Sequence, residues 1–140
     1  MASNGFLITV TKLILERFLG MKSYVKIYGP PVLKAIKELE KLSIGMPEVC
    51  IMDTVIASTG ADYTSSAREF STQEYFSPLG EITLERCDTI ISKSGESLGE
   101  YNFYFEWFTE PTMDQINDFI GKIDAVMSKV GCRYSIMTEK

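Results

Sequence analysis

From Met113 to Val130 apolar residues recur every third or fourth position, through Ile116, Phe119, Ile120, Ile123, Val126 and Met127. Asp114, Asn117, Asp118, Lys122, Asp124 and Lys129 fall between them. That spacing lays one apolar stripe along a helix. Thr112 and Gln115 fit a capping box, Pro111 blocks backward extension, Lys129 suits the last turn, and Gly131 can take a left-handed cap. On either side the period changes to two. Phe103, Phe105 and Trp107 alternate with Tyr104, Glu106 and Phe108 before the helix, and Cys132, Tyr134 and Ile136 with Arg133, Ser135 and Met137 after it. Both segments read as strands, so Tyr101–Thr138 is a βαβ unit.

The N-terminal half carries a similar pattern. Lys22–Tyr28 alternates Val25 and Ile27 with Tyr24, Lys26 and Tyr28, and Gly29-Pro30-Pro31 ends that strand where a helix begins. Val32, Leu33, Ile36, Leu39 and Leu42 form the helical stripe, with Lys34, Lys37, Glu38, Glu40 and Lys41 assigned to its solvated face. Val49–Ala57 follows as a strand apolar on both faces and interrupted by Asp53. Residues 58 to 80 are the least regular, with a loop near Ser58–Ala61 and turn chemistry at Ser77–Gly80. Glu81–Ser92 alternates, and Lys93–Ser97 turns the chain back towards residues 98–109, which predicts a hairpin.

Strand, helix, strand, strand-rich insertion, strand, helix, strand is the expected order. Without the insertion at about residues 58–98 this is βαββαβ, the order of a ferredoxin-like sandwich, and the α+β class follows. The alternative is a helix-grip-like curved antiparallel sheet, which the strand after the last helix disfavours. Residues 21–140 read as a single domain behind an N-terminal extension, residues 1–20. That extension is apolar but broken by Lys12, Glu16 and Arg17, and its uninterrupted run is far short of the roughly 18 residues of a membrane span. It also lacks a basic leader and a small-residue cleavage site, so it reads as a packed helix or a poorly ordered segment rather than a signal peptide.

Composition narrows the chemistry. The 140 residues contain no histidine, which removes Ser-His and Cys-His pairs, His-ligated zinc or haem, and the usual proton shuttle at neutral pH. A net charge of −5 without a Lys/Arg cluster disfavours nucleic acid as a partner. Cys50, Cys87 and Cys132 are scattered, an odd set that forms no C-x-x-C and fits a reducing cytoplasm. No metal site or particular cofactor is indicated, and no nucleotide-binding glycine motif is present.

Two faces follow from the alternation. Val25, Ile27, Phe103, Phe105 and Trp107 are expected beneath the helices, which leaves Tyr24, Lys26, Tyr28, Tyr104, Glu106 and Phe108 on the open face, with Lys26 and Glu106 paired across strands. An aromatic open face calls for a cover: a second copy in a homodimer, the insertion, or a small-molecule ligand. Candidate ligand-binding residues are therefore Lys26, Tyr28, Tyr104 and Glu106, together with Asp53 and the loop residues Tyr63, Ser65, Ser66 and Arg68. The expected function is a non-catalytic small-molecule- or protein-binding regulatory module that oligomerises through this face. The alternatives are a histidine-independent enzyme using carboxylate and tyrosine acid–base chemistry, or a structural subunit of a larger complex.

Overall fold

The computed structural model describes residues 21–59 and 71–139. The elements are β1 (Lys22–Tyr28), α1 (Val32–Ile44), β2 (Val49–Asp53), α2 (Thr54–Ser58), α3 (Thr72–Phe76), α4 (Leu84–Ile90), β3 (Phe103–Trp107), α5 (Met113–Val130) and β4 (Arg133–Glu139). The strands make one antiparallel sheet in the order β2-β3-β1-β4. The chain is therefore a mixed α+β structure with a four-stranded open sheet.

Side-chain alternation decides which sheet face is covered. Val25 and Ile27 of β1, Val49 and Ile51 of β2, and Phe103, Phe105 and Trp107 of β3 point to the helices and are buried. Phe119 of α5 packs edge-on against Phe105 and Trp107, with ring centroids at 4.8 and 5.1 Å, while Ala35, Ile36 and Leu39 of α1 join the same core. Burying this aromatic layer stabilises the fold by about 25 cal/mol per Å² of apolar surface removed from water. The ends of α5 are those expected. Thr112 Oγ1 accepts from Gln115 N, Gln115 Oε1 accepts from Thr112 N, and Gly131 closes the helix at φ 80°.

The insertion differs from expectation. Its described part holds α3 and α4, and its only sheet-like pairing is an isolated parallel bridge between Ile91 and Ile51. Glu81–Ser92 is thus not a hairpin strand. Thr83 caps the helix by accepting from Arg86 N, and Arg86 and Ile90, four residues apart, turn inward while Leu84 is 70% exposed. β2 is also shorter than its β-branched sequence suggests, because Asp53 caps α2 and Thr54–Ser58 coil into a helix. Residues 1–20, and the expectations attached to them, lie outside the described residues.

Arg86 locks α4 to the end of α1 and to β2. Its Nη2 donates to the carbonyls of Ser43, Met46 and Val49 at 2.7, 2.8 and 2.7 Å, sharing two hydrogens among three acceptors, and Nη1 donates to Thr89 Oγ1. Ser43 lies in the last turn of α1, where the helix dipole presents negative charge, so carbonyl oxygens take the place of a carboxylate partner. Burial lowers the pKa of the guanidinium, and the nearby Cys50 and Glu48 oppose that shift only in part. Arg86→Met should destabilise the fold by about 3 kcal/mol, read from urea unfolding, because charge-assisted bonds contribute about 1.5–3 kcal/mol each. Arg86→Lys should recover little, since an ammonium cannot span the three carbonyls. An unfolding midpoint unchanged in Arg86→Met would refute this role.

Candidate functional site

The open sheet face is half covered. Ser92–Tyr101 runs across it as a strap, turning at Gly95 and Gly99, whose φ values of 73° and 59° favour glycine. Tyr104 lies beneath the strap and is fully buried. Its hydroxyl is within reach of Ser94 Oγ at 3.3 Å and donates to Ser92 Oγ and the Glu96 carbonyl, each at 3.4 Å. Tyr24 stacks on Tyr101 at 5.0 Å and meets the edge of Tyr104 at 5.6 Å. Asn102 fixes the strap's end: its N–H donates to Val25 O, its Oδ1 accepts from Ile27 N, and its carbonyl accepts from Thr54 N.

Beside the strap is a cleft of about 270 Å³ whose lining includes Cys50, Ile91, Lys93, Ser94, Glu106 and Phe108. Glu106 is the polar centre. Its Oε1 accepts from Ser92 Oγ at 2.6 Å and lies 3.9 Å from the Cys50 thiol donor. Ser92 is itself fixed, with its N–H donating to Ile51 O at 2.8 Å. Burial, followed by the neighbouring Glu106 charge, pushes the Cys50 thiol up to about 12, so it stays protonated and serves as a weak donor. Burial likewise raises Tyr104, which holds its phenol as a donor. The arrangement presents a half-buried carboxylate beside the exposed Phe108 ring, which suits a hydrogen-bond donor joined to a flat apolar group.

The candidate residues separate into three places. Glu106 lines the cleft and Tyr104 braces the strap beside it. Lys26 and Tyr28 lie towards β4 on the same sheet face. Lys26 pairs with Glu100 at 3.5 Å, not with Glu106, because the β1–β3 register sets Lys22 opposite Glu106. Tyr28 is 47% exposed, with its hydroxyl 3.4 Å from Ser135 Oγ. Tyr63, Ser65, Ser66 and Arg68 lie outside the described residues.

Asp53 is on the opposite, helix-covered face. Its Oδ1 accepts from the backbone N–H of Val55 and Ile56 at 2.9 and 2.8 Å. Glu40 is completely buried as well, which corrects its assignment to the solvated face of α1. Tyr75 of α3 covers it and donates to Glu40 Oε2 at 2.6 Å, and Lys37 Nζ lies 3.3 Å from Glu40 Oε1 and donates to the Tyr75 hydroxyl at 3.1 Å. Asp53 Oδ2 accepts no hydrogen bond, and Glu40 Oε1 has only the Lys37 ammonium beside it. A proton on Asp53 would let it donate to Glu40 and avoid a second buried charge beside it. Burial and this bond raise the Asp53 pKa to about 9.

Glu40, Tyr75, Ser92 and Asn102 were not among the sequence candidates. One signal was available: Ser71-Thr72-Gln73-Glu74 is a capping-box pattern, and Ser71 Oγ accepts from Glu74 N at 3.1 Å to start the helix that carries Tyr75. Nothing in the sequence places Ser92 or Asn102 against their partners.

The acid pair has a signed pH dependence. Because the folded pKa of Asp53 is raised above its ordinary value of 3.8, its stabilising contribution is complete below about 4 and is lost as pH rises towards about 9. Asp53→Asn retains the cap acceptor and supplies an N–H to Glu40, so its melting temperature should fall less than wild type between about pH 5 and pH 8, by roughly 4 °C or more. Asp53→Ala should lose the cap and be destabilised at every pH. Parallel pH profiles for wild type and Asp53→Asn would contradict a shared proton.

Among the described residues no helix is long and apolar enough to cross a membrane. No protein-family model matches the sequence, and no curated protein or solved structure matches it either.

Proposed function

We propose that this chain is a ferredoxin-like sandwich serving as a small-molecule-binding module, with the cleft at Glu106 as its binding site. The fold reading is supported by the strand order β2-β3-β1-β4, by antiparallel pairing throughout, and by α1 and α5 packing together over one sheet face. The ligand class is a primary amine or similar cation carrying a compact apolar body. One observation carries this reading: Glu106 is held at Oε1 by Ser92 at the centre of a 270 Å³ cleft, which leaves Oε2 to meet a ligand. The Phe108 ring, 37% exposed, supplies the apolar wall and a cation–π surface. Binding, rather than catalysis, suits the site, since the Cys50 thiol is held protonated and the Tyr104 phenol is covered.

Benzylamine is a suitable probe, combining one ammonium with one ring. Saturable chemical-shift changes should map to Ile91, Ser94 and Phe108 in a titration followed by NMR. Glu106→Gln keeps an acceptor for Ser92 and should leave the spectrum folded while weakening binding about tenfold or more, the size expected for one charge-assisted hydrogen bond. Equal affinity in wild type and Glu106→Gln, or no saturable shift at the cleft, would rule out this assignment.

A further inference from the structure

The two edges of the sheet are treated differently. At the β2 edge the chain protects itself: Ile91 bridges Ile51, and Ser92 N–H donates to the Ile51 carbonyl at 2.8 Å. On its outer side, away from β1, no described residue pairs with β4, which is exposed at five of its seven positions. A bare edge strand is a template for another strand.

The backbone of β1 shows which groups β4 leaves free. Asn102 N–H donates to Val25 O, Trp107 N–H donates to Met21 O, and Ile27 N–H donates to Asn102 Oδ1. The odd-numbered positions of β1 therefore direct their N–H and C=O groups towards β3, and the even-numbered ones towards β4. In the β1–β4 register, Lys22, Tyr24, Lys26 and Tyr28 face Glu139, Met137, Ser135 and Arg133. These four positions of β4 spend their backbone groups on β1, so Tyr134, Ile136 and Thr138 point theirs outward.

We propose that a second copy of this chain docks on the β4 edge, β4 against β4 and antiparallel about a two-fold axis at Ile136. Two-fold symmetry and hydrogen bonding together require that outward groups meet outward groups, so the axis must fall on a residue position. Of those choices, the one at Ile136 pairs all seven residues. It sets Tyr134 opposite Thr138 of the second copy and Ile136 opposite itself, all with outward backbone groups. It also sets Arg133 opposite Glu139 of the second copy, twice by symmetry. An axis moved one residue either way pairs fewer positions and loses both ion pairs. The complementarity is built into the strand, Arg133-Tyr-Ser-Ile-Met-Thr-Glu139, with a base at one end and an acid at the other. Met137, 44% exposed, would meet Ser135 of the second copy on the open face. The result is a continuous eight-stranded sheet, twice the four of one copy.

Charge exchange tests the register in the full chain. Wild type should sediment as a dimer, and hydrogen exchange at Tyr134, Ile136 and Thr138 should slow as concentration rises. Arg133→Glu and Glu139→Arg should each weaken the dimer about tenfold, because each replaces two opposite-charge pairs by two like-charge pairs. The double variant Arg133→Glu/Glu139→Arg restores both pairs in reversed sense and should recover the wild-type dissociation constant. A monomeric wild type with rapid exchange at all three amides would overturn the proposal, whether the edge is bare or taken by another segment of the same chain. So would a dimer indifferent to both single changes, which would point to a different interface such as the sheet face. Should a single variant fail to fold, the concentration dependence of the three wild-type amides still decides.

Discussion

Two buried carboxyl groups, Asp53 and Glu40, tie this fold together at its least regular point. Asp53 ends β2, caps α2 with two backbone hydrogen bonds and, when protonated, donates to Glu40 of α1. Glu40 in turn accepts from Tyr75 of α3, and Lys37 lies against the Tyr75 ring at 4.3 Å. Four elements thus meet at two carboxyl groups that water does not reach. Ionising both would place like charges in a low-dielectric interior, so burial and Glu40 favour a proton on Asp53.

Arg86 plays the complementary part on the far side of the insertion. A buried cation and a buried acid pair each attach the insertion to the sandwich, and neither does so with a simple salt bridge. The cation uses carbonyl oxygens at the end of α1, while the acids use a proton and a tyrosine. Such attachments are directional, and they position α3 and α4 more narrowly than apolar contact alone. The strap then continues from α4 at a fixed height over the sheet, which is why Ser92 reaches Glu106 and Tyr104 is sealed beneath.

Much of the sheet and its two long helices is legible in the sequence. The stripe of α5 and both its caps, the alternation in β1, β3 and β4, and the burial of Phe103, Phe105 and Trp107 follow from period and local chemistry. These are features a segment decides for itself. The insertion is different. Thr54-Val55-Ile56 has the β-branched composition of a strand, yet Asp53 caps it into a helix. Glu40 sits among lysines on what reads as a solvated helix face, and only the arrival of Tyr75 from a distant segment buries it. The site shares this fate: Glu106 is recoverable from alternation, but Ser92, the group that orients it, depends on where the strap crosses the sheet.

The protection of the β2 edge by Ile91 and Ser92 reaches beyond the monomer. A sheet with two bare edges can recruit copies at both ends without limit, the geometry of a fibre. Here one end of the sheet is closed by the chain's own backbone. Lateral growth is then self-terminating, because whatever the β4 edge accepts finds no second vacancy behind it.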